Sequence, residues 1–146
     1  MLNIHPLFAH FPIALLITAF ALEALGLLLN NDRVLYAAAI NIVLGAVGAV
    51  AAVATGLVAE GGMSAGDAAV ALAREHKLYT LLALAMAAPL AAWRVWRGDR
   101  ISKPARGAYL VLMLVMLAVV AIGAHSGGRL VYEFGAGASL MGAAYE

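Results

Sequence analysis

Four long apolar runs dominate the chain, separated by short polar or glycine-bearing stretches. The first covers residues 8–29 and is interrupted only by His10, Pro12, Thr18 and Glu23; the others cover 34–59, 78–96 and 108–124. A helix needs roughly 20 mostly apolar residues to cross hydrocarbon about 30 Å thick. The runs do not alternate apolar with polar positions and are too long for barrel strands. The pattern therefore predicts an all-α fold: an integral membrane bundle of four transmembrane helices, up-and-down, forming a single membrane domain.

The polar punctuation predicts where the helices end. Asn30, Asn31 and Asp32 form a turn between the first two spans, and Gly61 and Gly62 close the second. Ser64 with Asp67 reads as a capping box, whose helix continues through Ala71 and His76 into the third span. Gly127 and Gly128 are expected to stop the fourth span. They leave a glycine-rich tail, 126–146, with Leu130, Val131, Tyr132, Phe134, Leu140 and Met141, to fold back over the outer mouth of the bundle. Pro12 and Pro89 predict kinks, since each removes an intrahelical hydrogen bond. Gly45, Gly48, Ala49, Ala52 and Gly56 fall at small-xxx-small spacings, which let helix backbones approach.

Composition then selects the solvent. The chain is 65% hydrophobic and 12% charged, whereas soluble domains are nearer half apolar and a quarter charged. The lipid bilayer is the surrounding medium. A formal net charge of +1 offers no case for nucleic acid. The absence of cysteine removes disulfides, covalent c-type haem attachment and thiolate clusters. The N-terminus has no basic segment or small-residue cleavage site, so the first run is expected to be a retained span.

Charge sets the direction. Arg33, Arg94, Arg97, Arg100, Lys103 and Arg106 fall in the two loops on one side, six of the nine basic residues. The positive-inside rule makes that side cytoplasmic, with Trp93 and Trp96 as interfacial anchors. Both termini then lie on the periplasmic side, most simply of a bacterial inner membrane.

The four histidines are the candidate chemistry. His5 and His10 begin the first span, His76 begins the third and His125 ends the fourth, so the topology gathers all of them near the outer face. Histidine within a span marks function by default, and its neutral imidazole ligates metals and haem. Helices one and three are diagonal neighbours in a simple bundle. His10 and His76 are therefore expected to face each other as axial ligands of a haem iron, with His125 and His5 as further candidates. Ala14, Thr18 and Ala21 below His10, Thr80, Ala83 and Ala87 below His76, and Ala118 and Ala121 below His125 would leave room for a porphyrin. Arg74, Lys77 and Arg129 are the basic residues of the outer side and would meet its propionates. Copper, zinc or iron held by several of these rings, with Glu60 or Glu75, is the alternative. Glu23 lies deep in the first span, where an acid needs a partner; Asn41 is the expected one.

The opening His5-Pro6-Leu7-Phe8-Ala9-His10-Phe11-Pro12-Ile13, the histidine of the third span, and Gly127-Gly128-Arg129-Leu130-Val131-Tyr132 followed by Gly135-Ala136-Gly137 resemble domain-of-unknown-function family 2231. That family consists of predicted four-helix membrane proteins, and the resemblance covers nearly the whole chain. Related domains are joined to Rieske iron–sulfur or c-type cytochrome modules, which implies electron transfer at the outer face. By that resemblance His5, His10 and His76 match the family pattern, and His10 with His76 look like haem b ligands. Phe134 stands where many relatives carry a histidine, which weakens any ligand role for the tail. The resulting expectation is a membrane cytochrome b exchanging electrons with a quinone and an outer-face redox protein, more an electron-transfer subunit than a stand-alone enzyme. A histidine-based metal-binding or transport protein and a structural anchor subunit stand beside it. The glycine-lined faces are compatible with a homodimer.

Overall fold

The computed structural model describes residues 5–60, 66–98 and 102–135. Within them the chain forms four helices in up-and-down order: α1 (His5–Leu29), α2 (Asp32–Glu60), α3 (Asp67–Arg97) and α4 (Lys103–Phe134). All four are long and apolar enough to cross a membrane, and no strand occurs among the described residues. Large apolar side chains such as Ile17, Val47, Leu81 and Val111 cover the outside of the bundle. That surface suits lipid, in which a helix satisfies its own backbone hydrogen bonds.

The inner faces follow spacings of three, four and seven. On α1 they run Pro12, Leu16, Ala19, Glu23; on α3, Ala83, Ala87, Leu90, Arg94. Leu16, Ala19, Ile42, Ala46, Ala87, Leu90, Tyr109, Met113 and Met116 belong to one continuous core. The small residues of α2 seat α1, as their spacing predicted: a Cβ at Gly45 would come within 2.8 Å of Leu16, and one at Gly48 within 3.3 Å of Pro12.

The polar turn between α1 and α2 forms as expected. Asn30 takes a positive φ of 47°, and the Asn31 side chain accepts the N–H groups of Arg33 and Val34 at 3.0 and 3.4 Å. Helix α3 is continuous through Ala71 and His76. It starts after Gly66, which makes no side-chain cap; Gly61, Gly62 and Ser64 lie outside the described residues. Gly127 and Gly128 do not stop α4. The helix runs on to Phe134 and ends at Gly135, whose φ of 63° is left-handed and whose N–H reaches Val131 O at 3.1 Å. Glycine is common inside transmembrane helices, and here Gly127 is held by packing against α3. Residues 126–134 are therefore helix, so Leu130, Val131, Tyr132 and Phe134 extend α4 instead of folding back; the expected fold-back of Leu140 and Met141 lies outside the described residues.

The two hairpins repeat one another. Glu23 and Arg94 are 71 residues apart, and the same offset carries His5 to His76, Thr55 to Ser126 and Gly56 to Gly127. The Thr55 hydroxyl donates to Ala51 and Ala52 carbonyls at 3.0 and 3.1 Å. The Ser126 hydroxyl meets the equivalent carbonyls, Ile122 and Gly123, at 3.3 and 3.0 Å. Because α1 and α3 run in the same direction, an approximate two-fold along the bundle relates the halves. It is only approximate, since α2 packs against α3 more extensively than α1 against α4.

Candidate functional site

The inner face of α1 begins at His5 and that of α3 reaches the same level at His76. Their rings meet across the bundle diagonal with centres 6.2 Å apart and planes at 76°. Each ring lies against a glycine of the other helix in its hairpin. A Cβ at Gly56 would come within 3.0 Å of His5 Cε1, and one at Gly127 within 2.8 Å of His76 Cε1. Any larger residue there would push its ring aside.

Both rings are also fixed by hydrogen bonds. His76 Nδ1 lies 2.8 Å from Gly123 O. A carbonyl can only accept, so Nδ1 carries the proton and Nε2 the lone pair in the neutral ring. His5 Nδ1 lies 3.1 Å from Thr55 Oγ1. The Thr55 hydroxyl proton already points to its own helix, so it accepts from His5, which takes the same tautomer. Burial, helped by the neighbouring His76, holds the His5 pKa below the ordinary imidazole value. In the neutral form both rings therefore keep Nε2 as the lone-pair nitrogen. Donation of the other ring N–H to a backbone or side-chain oxygen is the usual support of a ligating histidine.

The sequence expectation paired His10 with His76; the structure sets His5 beside His76 instead. His10 and His125 are both exposed on the bundle exterior. The difference is one of rotation about α1: His5, not His10, shares the inward stripe of Pro12, Leu16 and Ala19. For the same reason Ala14, Thr18, Ala21, Ala118 and Ala121, placed beneath the histidines from His10 and His125, are exposed to the outside. The layer below the pair is still built of small residues, one from each helix: Pro12, Ala52, Ala83 and Gly123 are all buried.

Of the outer cations, Arg129 is engaged with Glu133 by two contacts of 2.8 and 2.9 Å. Arg74 is exposed and Lys77 is half-buried, both within a turn of His76. Among the described residues no group of three or more His, Asp or Glu side chains gathers around a common point.

Near the other end of the bundle, Glu23 finds Arg94 rather than Asn41. Glu23 Oε2 and Arg94 Nε are 3.3 Å apart and both side chains are almost fully buried. Asn41 instead donates to Ala37 O at 2.9 Å, one turn back on its own helix. Arg94 is therefore not a loop cation. Its Nη2 donates to Leu35 O on α2 and its Nη1 to Gly98 O at the end of α3, each at 2.9 Å. Trp93 is half-buried, edge-on to Tyr109 with ring centres 5.5 Å apart, while Trp96 is exposed beneath the Arg97 guanidinium.

The model of a family described as predicted membrane protein (DUF2231) matches residues 1–140. The chain belongs to this family. No curated protein and no solved structure matches it. Membership in DUF2231 agrees with four apolar helices and carries no statement about chemistry. Of the residues that carry the family resemblance, His5, Pro12 and Gly127 line or underlie the paired-histidine site, while Ala136 and Gly137 fall outside the described residues.

Proposed function

We propose that the protein is a membrane b-type cytochrome that holds haem b between α1 and α3, with His5 and His76 as the axial pair. The observation that carries this reading is the mutual placement of the two rings. Metal–imidazole bonds of about 2.0–2.1 Å on either side of one ion separate two ring centres by roughly 6 Å. The 6.2 Å separation fits that requirement. The tautomers fit as well, because Gly123 O and Thr55 Oγ1 hold both Nδ1 protons and direct the lone pairs to Nε2.

Bound haem would supply one-electron redox chemistry. The chain's own residues do the rest. Gly56 and Gly127 fix the ring orientations, and Pro12, Ala52, Ala83 and Gly123 form a layer of small residues next to them. Arg74 and Lys77 offer positive charge for the propionates on the α3 side, with Arg129 shared with Glu133. The outer location of the pair suits exchange between a membrane quinol and a redox protein outside. Arg33, Arg97, Lys103 and Arg106 remain at the opposite end of the bundle without Arg94, so the positive-inside rule still favours periplasmic termini in a bacterial inner membrane.

The test is a reduced-minus-oxidised visible spectrum of detergent-purified protein made with haem supplied. A sharp b-type band in the parent, kept in His10→Ala and His125→Ala and lost in His5→Ala and His76→Ala, is the expected result. A colourless parent that binds copper or zinc stoichiometrically would replace haem with a two-histidine metal site. A colourless and metal-free parent would leave a membrane anchor.

A further inference from the structure

The repeat relationship gives the buried ion pair a meaning that neither residue has alone. Where the inner faces of the two hairpins meet across the bundle, equivalent positions oppose each other. At the outer end the opposed residues are alike, His5 and His76. Eighteen residues further along both helices, about 27 Å at the helical rise, they are opposite: Glu23 and Arg94. Elsewhere the inner positions exchange one apolar residue for another, such as Leu16 with Ala87, Ala19 with Leu90 and Ile42 with Met113. The Ile42–Met113 exchange roughly conserves volume, whereas the Leu–Ala exchanges set a large side chain against a small one in each layer.

Two hairpins with such similar faces have two ways to pair. The first hairpin can take the second of its own chain, or it can take the first hairpin of another copy while the two second hairpins pair together. Apolar packing contributes to the choice, because like pairing would set Leu16 against Leu16 and Ala19 against Ala19. The charged position discriminates strongly. Like pairing would bury two carboxylates together in one contact and two guanidiniums in the other, each without its counter-charge. An unpaired buried charge is far more costly than the ion pair is favourable.

We propose that Glu23 and Arg94 are the pairing determinant of the bundle: they direct the first hairpin onto the second and exclude the same face of a second copy. The contact of Arg94 with Leu35 O ties the determinant to α2 as well, so the selected arrangement includes α1, α2 and α3. The same selection brings His5 opposite His76. The proposal holds whatever those two rings bind.

Charge reversal in the full-length chain tests it, read by detergent size-exclusion chromatography with light scattering and by capture through two different tags. Glu23→Arg alone and Arg94→Glu alone should each lower the yield of folded protein by roughly tenfold or more. Glu23→Arg with Arg94→Glu in one chain should restore the parent yield and the parent oligomeric state. Co-expressing the two single variants on separately tagged chains should restore folded protein as a mixed dimer, because each chain then supplies the charge the other lacks. Single variants that fold as well as the parent would overturn the proposal. So would a double variant that stays unfolded, or a double variant that recovers while the co-expressed singles do not. None of these readouts involves haem, so their failure is separate from failure of the cytochrome reading.

Discussion

Gly127 lies flat against the imidazole of His76, so close that a Cβ would reach 2.8 Å from the ring's Cε1. Gly128, the next residue, has nothing within 4 Å of its Cβ position. The neighbours therefore make a controlled pair. Gly128→Ala should be neutral or stabilise by up to about 1 kcal/mol, the propensity difference in a helix. Gly127→Ala should displace His76, break its bond to Gly123 O and weaken ligand binding at the pair. Thermal unfolding in detergent and haem titration of both variants check this; equal behaviour would remove the glycine seat from the argument.

The hydrogen bonds fix tautomers that can be observed directly. In ligand-free protein above the imidazole titration range, nitrogen-15 spectra should show His5 and His76 protonated at Nδ1 and bare at Nε2. Protonation at Nε2 in either inner ring would leave the wrong nitrogen facing a metal.

The pH dependence of the ligand-free protein follows from His5, whose pKa burial lowers beneath its unfolded value of about 6.5. Between those two values the unfolded chain binds more protons, so stability rises with pH. The contribution is complete above about pH 6.5 and is lost as pH falls toward the folded-state value. Unfolding midpoints measured across that window should decline on acidification, and His5→Ala should flatten the slope. An unchanged slope in that variant would assign the effect elsewhere.

Two atoms at the end of the bundle away from the paired histidines, Glu23 Oε1 and Tyr109 Oη, are buried without a hydrogen-bond partner among the described residues. They predict opposite mutational outcomes. Tyr109→Phe keeps the ring against Trp93 and removes an unsatisfied hydroxyl, so stability should hold or rise slightly. Glu23→Ala strands the Arg94 guanidinium and should cost about 3–5 kcal/mol. Chemical unfolding in mixed micelles distinguishes them; a large loss in Tyr109→Phe would reveal a hydroxyl contact made in solution.

Much of the architecture was legible because membrane solvation leaves few alternatives. The apolar runs, the Asn30–Asn31 turn and the small-residue face of α2 follow from hydrocarbon thickness, turn chemistry and close helix approach. The end of α4 was less legible, because two adjacent glycines look like a stop until packing against α3 is seen to need one of them. Arg94 looked like a loop cation because it follows a tryptophan near the end of an apolar run. Only its inward rotation shows it opposite Glu23. The internal repeat is faint in the sequence because its strongest correspondences are chemical. Ala52 matches Gly123 through a backbone carbonyl, and Thr55 matches Ser126 through a hydroxyl bonded one turn back.

The sequence by itself determined the number of helices, their up-and-down order and the end of the bundle where the histidines gather. Apolar length and chain order settle those properties without reference to neighbours. Tertiary structure decided which histidines meet. Depth along a helix can be counted from its start, but rotation about its axis depends on packing against the other three. That rotation turns His5 and His76 inward, leaves His10 and His125 outside, and sets Arg94 rather than Asn41 against Glu23.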